Sequence, residues 1–150
     1  MRIILIVLCQ LLWLSSAAAQ TKQDFNGFWW TDDRSGIIEL IVSEQGIEGL
    51  TRWGDKPDTD RHNPSPELRS RSLKDITFLW GFSYDAKNNR WIDGQVYDPK
   101  NGKTYSTKLE LDASGNTLEM RGYIGLSLFG RSALFTRVKE QDLPDELQAN

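Results

Sequence analysis

The single histidine of this chain, His62, lies in Asp60-Arg61-His62-Asn63-Pro64. A histidine near a carboxylate is the pairing a general base needs, because the acid orients the ring. No nucleophile elbow accompanies it, and a zinc site would need further His or Cys donors. Asp55, Asp58, Asp60 and Asn63 resemble a calcium loop in composition. That loop would require a bend glycine and a closing bidentate glutamate, and Lys56 and Arg61 intrude among the acids instead. Asx turns, in which Asp60 and Asn63 cap their own backbone, account better for the segment, with Asn63-Pro64 enforcing an extended entry. Paired acids for glycoside hydrolysis are recognised by their separation in space, which one sequence does not give. Gly122 to Gly130 is glycine-rich, yet it has no lysine where a phosphate loop needs one and opens no helix. No catalytic residue, metal or cofactor is therefore assigned, and the chain reads as a non-enzyme.

Binding chemistry is the better prospect. Alternation places Phe78, Trp80, Phe82 and Tyr84 on one face, and with Trp53, Tyr105 and Leu109 they either fill an interior or line a cavity for an apolar or amphipathic compound. Gly49, Gly81, Gly94 and Gly122 within strands leave space or mark bends. The expected ligand set is Trp80, Phe82, Tyr84 and Tyr105 for apolar contact, with Asp60, Asn63 and Arg69 meeting a polar group. Arg69, Arg71 and Lys74 offer charge for an anionic head, although Glu67 and Asp75 balance them locally as on a solvated face. Leu126, Leu128 and Phe129 form either a sticky tip or a plug folded under the barrel.

These residues need a scaffold, and alternating runs supply it. Strands are expected over 25–31, 37–43, 47–53, 76–84, 90–97, 103–111, 117–124 and 131–138. The connections Glu44-Gln45-Gly46, Asp98-Pro99-Lys100-Asn101-Gly102 and Asp112-Ala113-Ser114-Gly115-Asn116 are too short for a crossover helix, so neighbouring strands run antiparallel. Residues 54–75 are too long for a hairpin; Ser65 as N-cap and Pro66 at the first helical position predict a short helix over 66–71. Eight strands in meander order close as an all-β, eight-stranded antiparallel up-and-down barrel, which removes exposed edges. Residues 139–150 are polar and acidic, more tail than core.

Arg2, a run over 3–14 that is apolar apart from Gln10, and Ser15-Ser16-Ala17-Ala18-Ala19 have the three parts of a secretory leader. Residues 1–19 are expected to be removed, leaving one domain over 20–150 that is exported, to a periplasm or beyond, with no transmembrane span. Cys9 leaves with the leader, so stability must come from burial and not from a disulfide. A net charge of −3 without a basic stripe argues against nucleic acid.

Gly27-Phe28-Trp29 at the first strand resembles the G-x-W element of lipocalin-like (calycin) barrels, with Arg137 on the last strand placed to cover the indole. Phe135 stands where such barrels commonly have tryptophan, so the aromatic character is kept. The run from Gly94 to Tyr105, Arg121-Gly122-Tyr123-Ile124-Gly125 and the Asp60–Pro64 segment are similar to a bacterial exported family, domain of unknown function twenty-one forty-seven. That resemblance implies a small calycin-like barrel behind a leader and implies no activity. Two functions stand: an exported barrel binding a small apolar or amphipathic ligand, with residues 54–75 as lid, or a solid-cored envelope module with a protein partner.

Overall fold

Asp112 builds the tightest of the expected turns. Its carboxylate accepts from the backbone N–H of Asn116 at 3.0 Å and of Thr117 at 2.9 Å, and from Ser114 Oγ at 2.8 Å. The chain therefore reverses in five residues and the flanking strands must pair antiparallel. Asp98 does the same one hairpin earlier, taking Lys100 N–H at 2.9 Å and Asn101 Nδ2 at 2.9 Å.

The computed structural model describes residues 19–125 and 130–148. The expected leader, apart from Ala19, and the tip residues Leu126, Leu128 and Phe129 lie outside the described residues. Within them, the strands are β1 (Gly27–Thr31), β2 (Gly36–Val42), β3 (Ile47–Gly54), β4 (Thr77–Trp80), β5 (Ser83–Asp85), β6 (Arg90–Asp98), β7 (Lys103–Leu111), β8 (Thr117–Tyr123) and β9 (Arg131–Arg137). All pairings are antiparallel: β1 pairs with both β2 and β9, and β4 bridges β3 and β6, so the sheet closes. β4 and β5 are one stave broken at Gly81, and the result is the expected eight-stranded lipocalin-like barrel.

One end of the barrel is sealed. A 3-10 turn, Lys22–Phe25, carries Phe25 into the interior, where its carbonyl accepts Trp29 Nε1–H at 3.1 Å. The Arg137 guanidinium lies 4.1 Å from the Trp29 ring centroid and donates to the carbonyls of Gly115 (2.9 Å), Asn26 (3.1 Å) and Asp24. Arg137 covers Trp29 as expected, and Gly27 beside it adopts φ +118°, a conformation that suits glycine. Phe25 meets Trp91 edge-on at 6.4 Å, and Trp91 meets Tyr84 at 5.0 Å.

Three local irregularities change which side chains face inward. Leu79 is fully buried opposite Gly49 and Val96, so Trp80 faces outward and is 36 % exposed. Gly81, at φ +78°, then resets the alternation and turns Phe82 inward. A bulge on β3 against Ile37–Ile38 turns Trp53 outward, where it packs edge-on against Trp30 at 5.7 Å. A second bulge, with Asp93 at φ +60°, lets Trp91 and Gly94 both face the interior. The expectation of one aromatic face from Phe78 to Tyr84, and of Trp53 filling the interior, is thus corrected by a chain break and a bulge.

Residues 55–76 are ordered. A Thr59–Ser72 bridge, Asp60 N–H to Arg71 O (3.1 Å) and Leu73 N–H to Asp58 O (3.0 Å) fold them into a narrow lobe. The helix expected over 66–71 is a single 3-10 turn, Pro66–Leu68, and Ser65 makes no side-chain cap. The Asn63 side chain accepts Ser65 N–H at 2.9 Å and sets the turn instead. Beyond the barrel, the segment expected as a tail contains Glu140–Asp142 in a 3-10 turn and the helix Asp145–Gln148; Leu147 is buried and Glu146 pairs with Lys74 at 3.0 Å.

Candidate functional site

The interior is solid for part of its length and open above. Leu79 occupies the volume over Gly49, and the Phe82 ring occupies that over Gly94, in each case where a Cβ would stand. Trp29, Leu40, Thr107, Leu109 and Leu118 are at zero exposure, so among the described residues side chains pack the barrel between its sealed end and Gly94. Gly122 differs. Its nearest neighbours to an added Cβ are Val96 Cγ1 at 3.8 Å and the Tyr105 Cβ at 3.9 Å, which is ordinary contact distance.

Around Gly122 the opposite end forms a cup of about 570 Å³. Strand register places Val96, Tyr105, Met120, Gly122, Ala133 and Arg131 on the inward face there, and Asp98, Asn101, Tyr123 and Ile124 form its rim. The wall is apolar apart from Arg131, and the rim mixes Asp98 and Asn101 with Tyr123 and the exposed Ile124. Asn101 Nδ2 donates to the Tyr105 hydroxyl at 3.0 Å, so this oxygen is held at the mouth. Clefts of comparable size run along the outside, one of 720 Å³ between β1 and residues 138–148. The cup is the better candidate because its walls are inward-facing barrel residues, which bury a guest on several sides.

The expected polar residues sit elsewhere. Asp60 is fully buried at a junction of three donors: Tyr97 Oη at 2.5 Å, Asn63 Nδ2 at 2.7 Å, and Arg71 through Nε at 2.9 Å and Nη2 at 2.8 Å. Burial pushes its pKa up, but these hydrogen bonds and the Arg71 charge outweigh it and hold the carboxyl below its usual range. Tyr97 shifts the other way, raised by burial and by its bond to the Asp60 anion. Arg69 Nε donates to Asn63 O at 2.8 Å. The His62 carbonyl lies against Gly102, whose φ of +70° and missing Cβ permit the approach. The network therefore fastens residues 55–76 to the outward face of β6 and to the β6–β7 turn, a latch in place of a lid. None of Asp60, Asn63 and Arg69 lines the cup.

Of the expected apolar set, Tyr105 lines the cup; Trp80 is on the outer wall; Phe82 lies below; Tyr84 is at the sealed end, its hydroxyl bonded to Asn89. Burial, then Asp24 and Asp85, raise the Tyr84 pKa. Val96, Met120, Ala133 and Arg131 were not in the expected set; strict alternation along β8 and β9 is the signal that would have found Met120, Ala133 and Arg131, and Val96 lies two positions beyond Gly94 on β6. Of the calcium-like run, Asp60 and Asn63 stay together in the latch, whereas Asp58 bonds to Arg61 and to Thr59 N–H. Among the described residues, no three His, Cys, Asp or Glu side chains converge as metal ligands. Arg71 and Lys74 pair with Asp60 and Glu146, not with the neighbours their sequence suggests.

Comparison with known proteins agrees with this architecture. The profile of a family described as an uncharacterized protein conserved in bacteria, DUF2147, matches residues 27–137. Protein HP1028 from the human pathogen Helicobacter pylori, whose structure is described as belonging to the lipocalin family, is similar with a TM-score of 0.69 and 22 % identity. The similarity covers 78 % of this chain and 84 % of that one. No curated protein matches.

Proposed function

For a chain that belongs to the bacterial family DUF2147, we propose a role as an exported, non-enzymatic binding protein that holds a small apolar or amphipathic molecule in the cup at the open end of its barrel. The observation that carries the proposal is the contrast between glycines. Gly49 and Gly94 are filled by neighbouring side chains, whereas Gly122 faces a cup of about 570 Å³ walled by Val96, Tyr105, Met120 and Ala133. Burying apolar area there yields about 25 cal/mol per Å². Tyr105, Asn101 and Asp98 at the mouth keep a polar end of the guest in contact with water. Export rests on the leader-like residues 1–19.

Native mass spectrometry of the purified mature protein, followed by displacement of a fluorescent fatty acid, tests this reading. A co-purified small molecule, or saturable displacement by unlabelled amphiphiles, is expected. A protein that carries nothing and displaces nothing contradicts it, and favours the envelope-module alternative.

A further inference from the structure

The outer wall carries an aromatic group that cup binding does not use. Trp30, Ile37 and Trp53 are cross-strand neighbours on β1, β2 and β3. Ile37 is 1 % exposed yet stands apart from the interior cluster, so this small apolar group is built on the outside of the barrel. Trp30 meets Trp53 with 84° between the ring planes, and Arg34 stands 5.8 Å from the Trp30 ring. The edge-on contact holds the Trp53 indole without stacking on it.

Trp53 also lines a cleft of about 450 Å³ between the end of β3, residues 54–58 and residues 72–74; Glu146 of the C-terminal helix lines it too. The charged groups there differ in hydrogen-bonding sense, since Asp55, Asp58 and Glu146 accept while Lys56 and Lys74 donate. Lys74 is already paired with Glu146, and Asp58 with Arg61. Asp55 and Lys56 are exposed, and neither side chain has a hydrogen bond or ion pair among the described residues. They follow Trp53 closely in the chain, so a free acceptor and a free donor share one cleft with the indole.

This lining selects a ligand class. Its three acids and two lysines nearly cancel, so no net field draws an ion. Among the described residues no three acids converge on a metal. Its apolar part is the indole with Pro57 and Leu73, too little to bury an alkyl chain. A pyranose ring suits both halves: its C–H face lies flat on an aromatic plane, and its hydroxyls donate to a carboxylate and accept from an ammonium. We propose that this outer cleft binds a neutral saccharide, one ring stacked on Trp53 and its hydroxyls shared between Asp55 and Lys56. The cleft is separate from the cup, and its occupancy does not depend on whether the cup is filled.

The test titrates isotope-labelled mature protein with cellobiose, maltose and N,N′-diacetylchitobiose, and follows amide and indole N–H resonances. Sorbitol, which has hydroxyls and no ring face, and adenosine, which has a flat aromatic ring, serve as controls. At least one disaccharide is expected to shift the Trp53 indole and the Asp55 and Lys56 amides saturably, leaving Gly122 and Tyr105 in the cup unmoved. Trp53→Ala should weaken that binding about threefold to tenfold, the worth of one ring contact. Asp55→Ala should weaken it about threefold, as loss of one exposed charge-assisted hydrogen bond. Asp55 is exposed, so its variant decides the matter if Trp53→Ala does not fold. No saturable shift with any of the three disaccharides overturns the proposal, as does equal or tighter binding of sorbitol or adenosine. Shifts confined to the cup, or an affinity that neither variant changes, overturn the placement at Trp53. Failure of the cup to bind amphiphiles leaves these outcomes unaltered, so the two readings are separable.

Discussion

Asp60 is the residue whose surroundings depart furthest from a solvated loop. A carboxylate with zero exposure survives in the ionised form only because Tyr97, Asn63 and Arg71 all donate to it. Tyr97→Phe removes one donor and leaves the anion short of a partner, at a cost of about 1–3 kcal/mol by urea unfolding at pH 7. The pH dependence follows from the depressed Asp60 pKa. Its stabilising contribution is complete above the unfolded carboxylate value near 3.9 and is lost as pH falls below that through the folded value. The difference between wild type and Asp60→Asn should therefore be constant from pH 7 to about 5 and shrink by about pH 3; an undiminished difference at the lower pH would contradict the assignment. The sequence marks Asp60, Asn63 and Pro64 as a structured run, and Asn63 does make an Asx turn to Ser65. It does not reveal Tyr97 as the partner, because that contact spans 37 residues and depends on how the loop lies against β6.

At the scale of elements, the strand boundaries are legible and the facing of side chains is only partly so. Turn chemistry at Asp98 and Asp112 and alternation along β7, β8 and β9 give the meander directly. The aromatic stave is misread because one glycine at positive φ, at Gly81, reverses the alternation beyond it, and Trp53 is misread because a bulge does the same. Such single-residue events swap faces without altering composition. The outward position of Trp80 also means that Trp80→Ala probes the barrel's exterior and says nothing about a cavity. Gly94 carries a sharper prediction. Gly94→Ala sets a methyl against the Phe82 ring and should destabilise by about 1–3 kcal/mol through overpacking. The same change at Gly122, where the nearest atom is 3.8 Å away, should stay within about 0.5 kcal/mol. Paired urea titrations decide it, and equal costs at the two glycines would contradict a barrel filled at one level and open at the other.

The whole molecule is a barrel sealed by Phe25, Trp29 and Arg137 at one end, packed through its middle by Leu79 and Phe82, and cupped at the other. Residues 55–76 and 138–148 brace its outside, joined by the Lys74–Glu146 ion pair. Sequence patterns suffice for the ring and its seal, since Gly27-Phe28-Trp29 and Arg137 carry them. The cup is less legible, because its wall is made of small or unremarkable residues on strands distant in sequence and is defined by what Gly122 lacks. Calorimetric titration of decanoate into the mature protein and into Gly122→Val is the most direct measurement. An added Cβ at that position stands at ordinary contact distance and the valine methyls would narrow the cup from its wall, so the variant should fold. The wild type is expected to bind with a negative heat-capacity change, and the variant to bind at least about tenfold more weakly, equivalent to roughly 1.4 kcal/mol. A folded Gly122→Val protein that binds decanoate as tightly as the wild type would contradict the account.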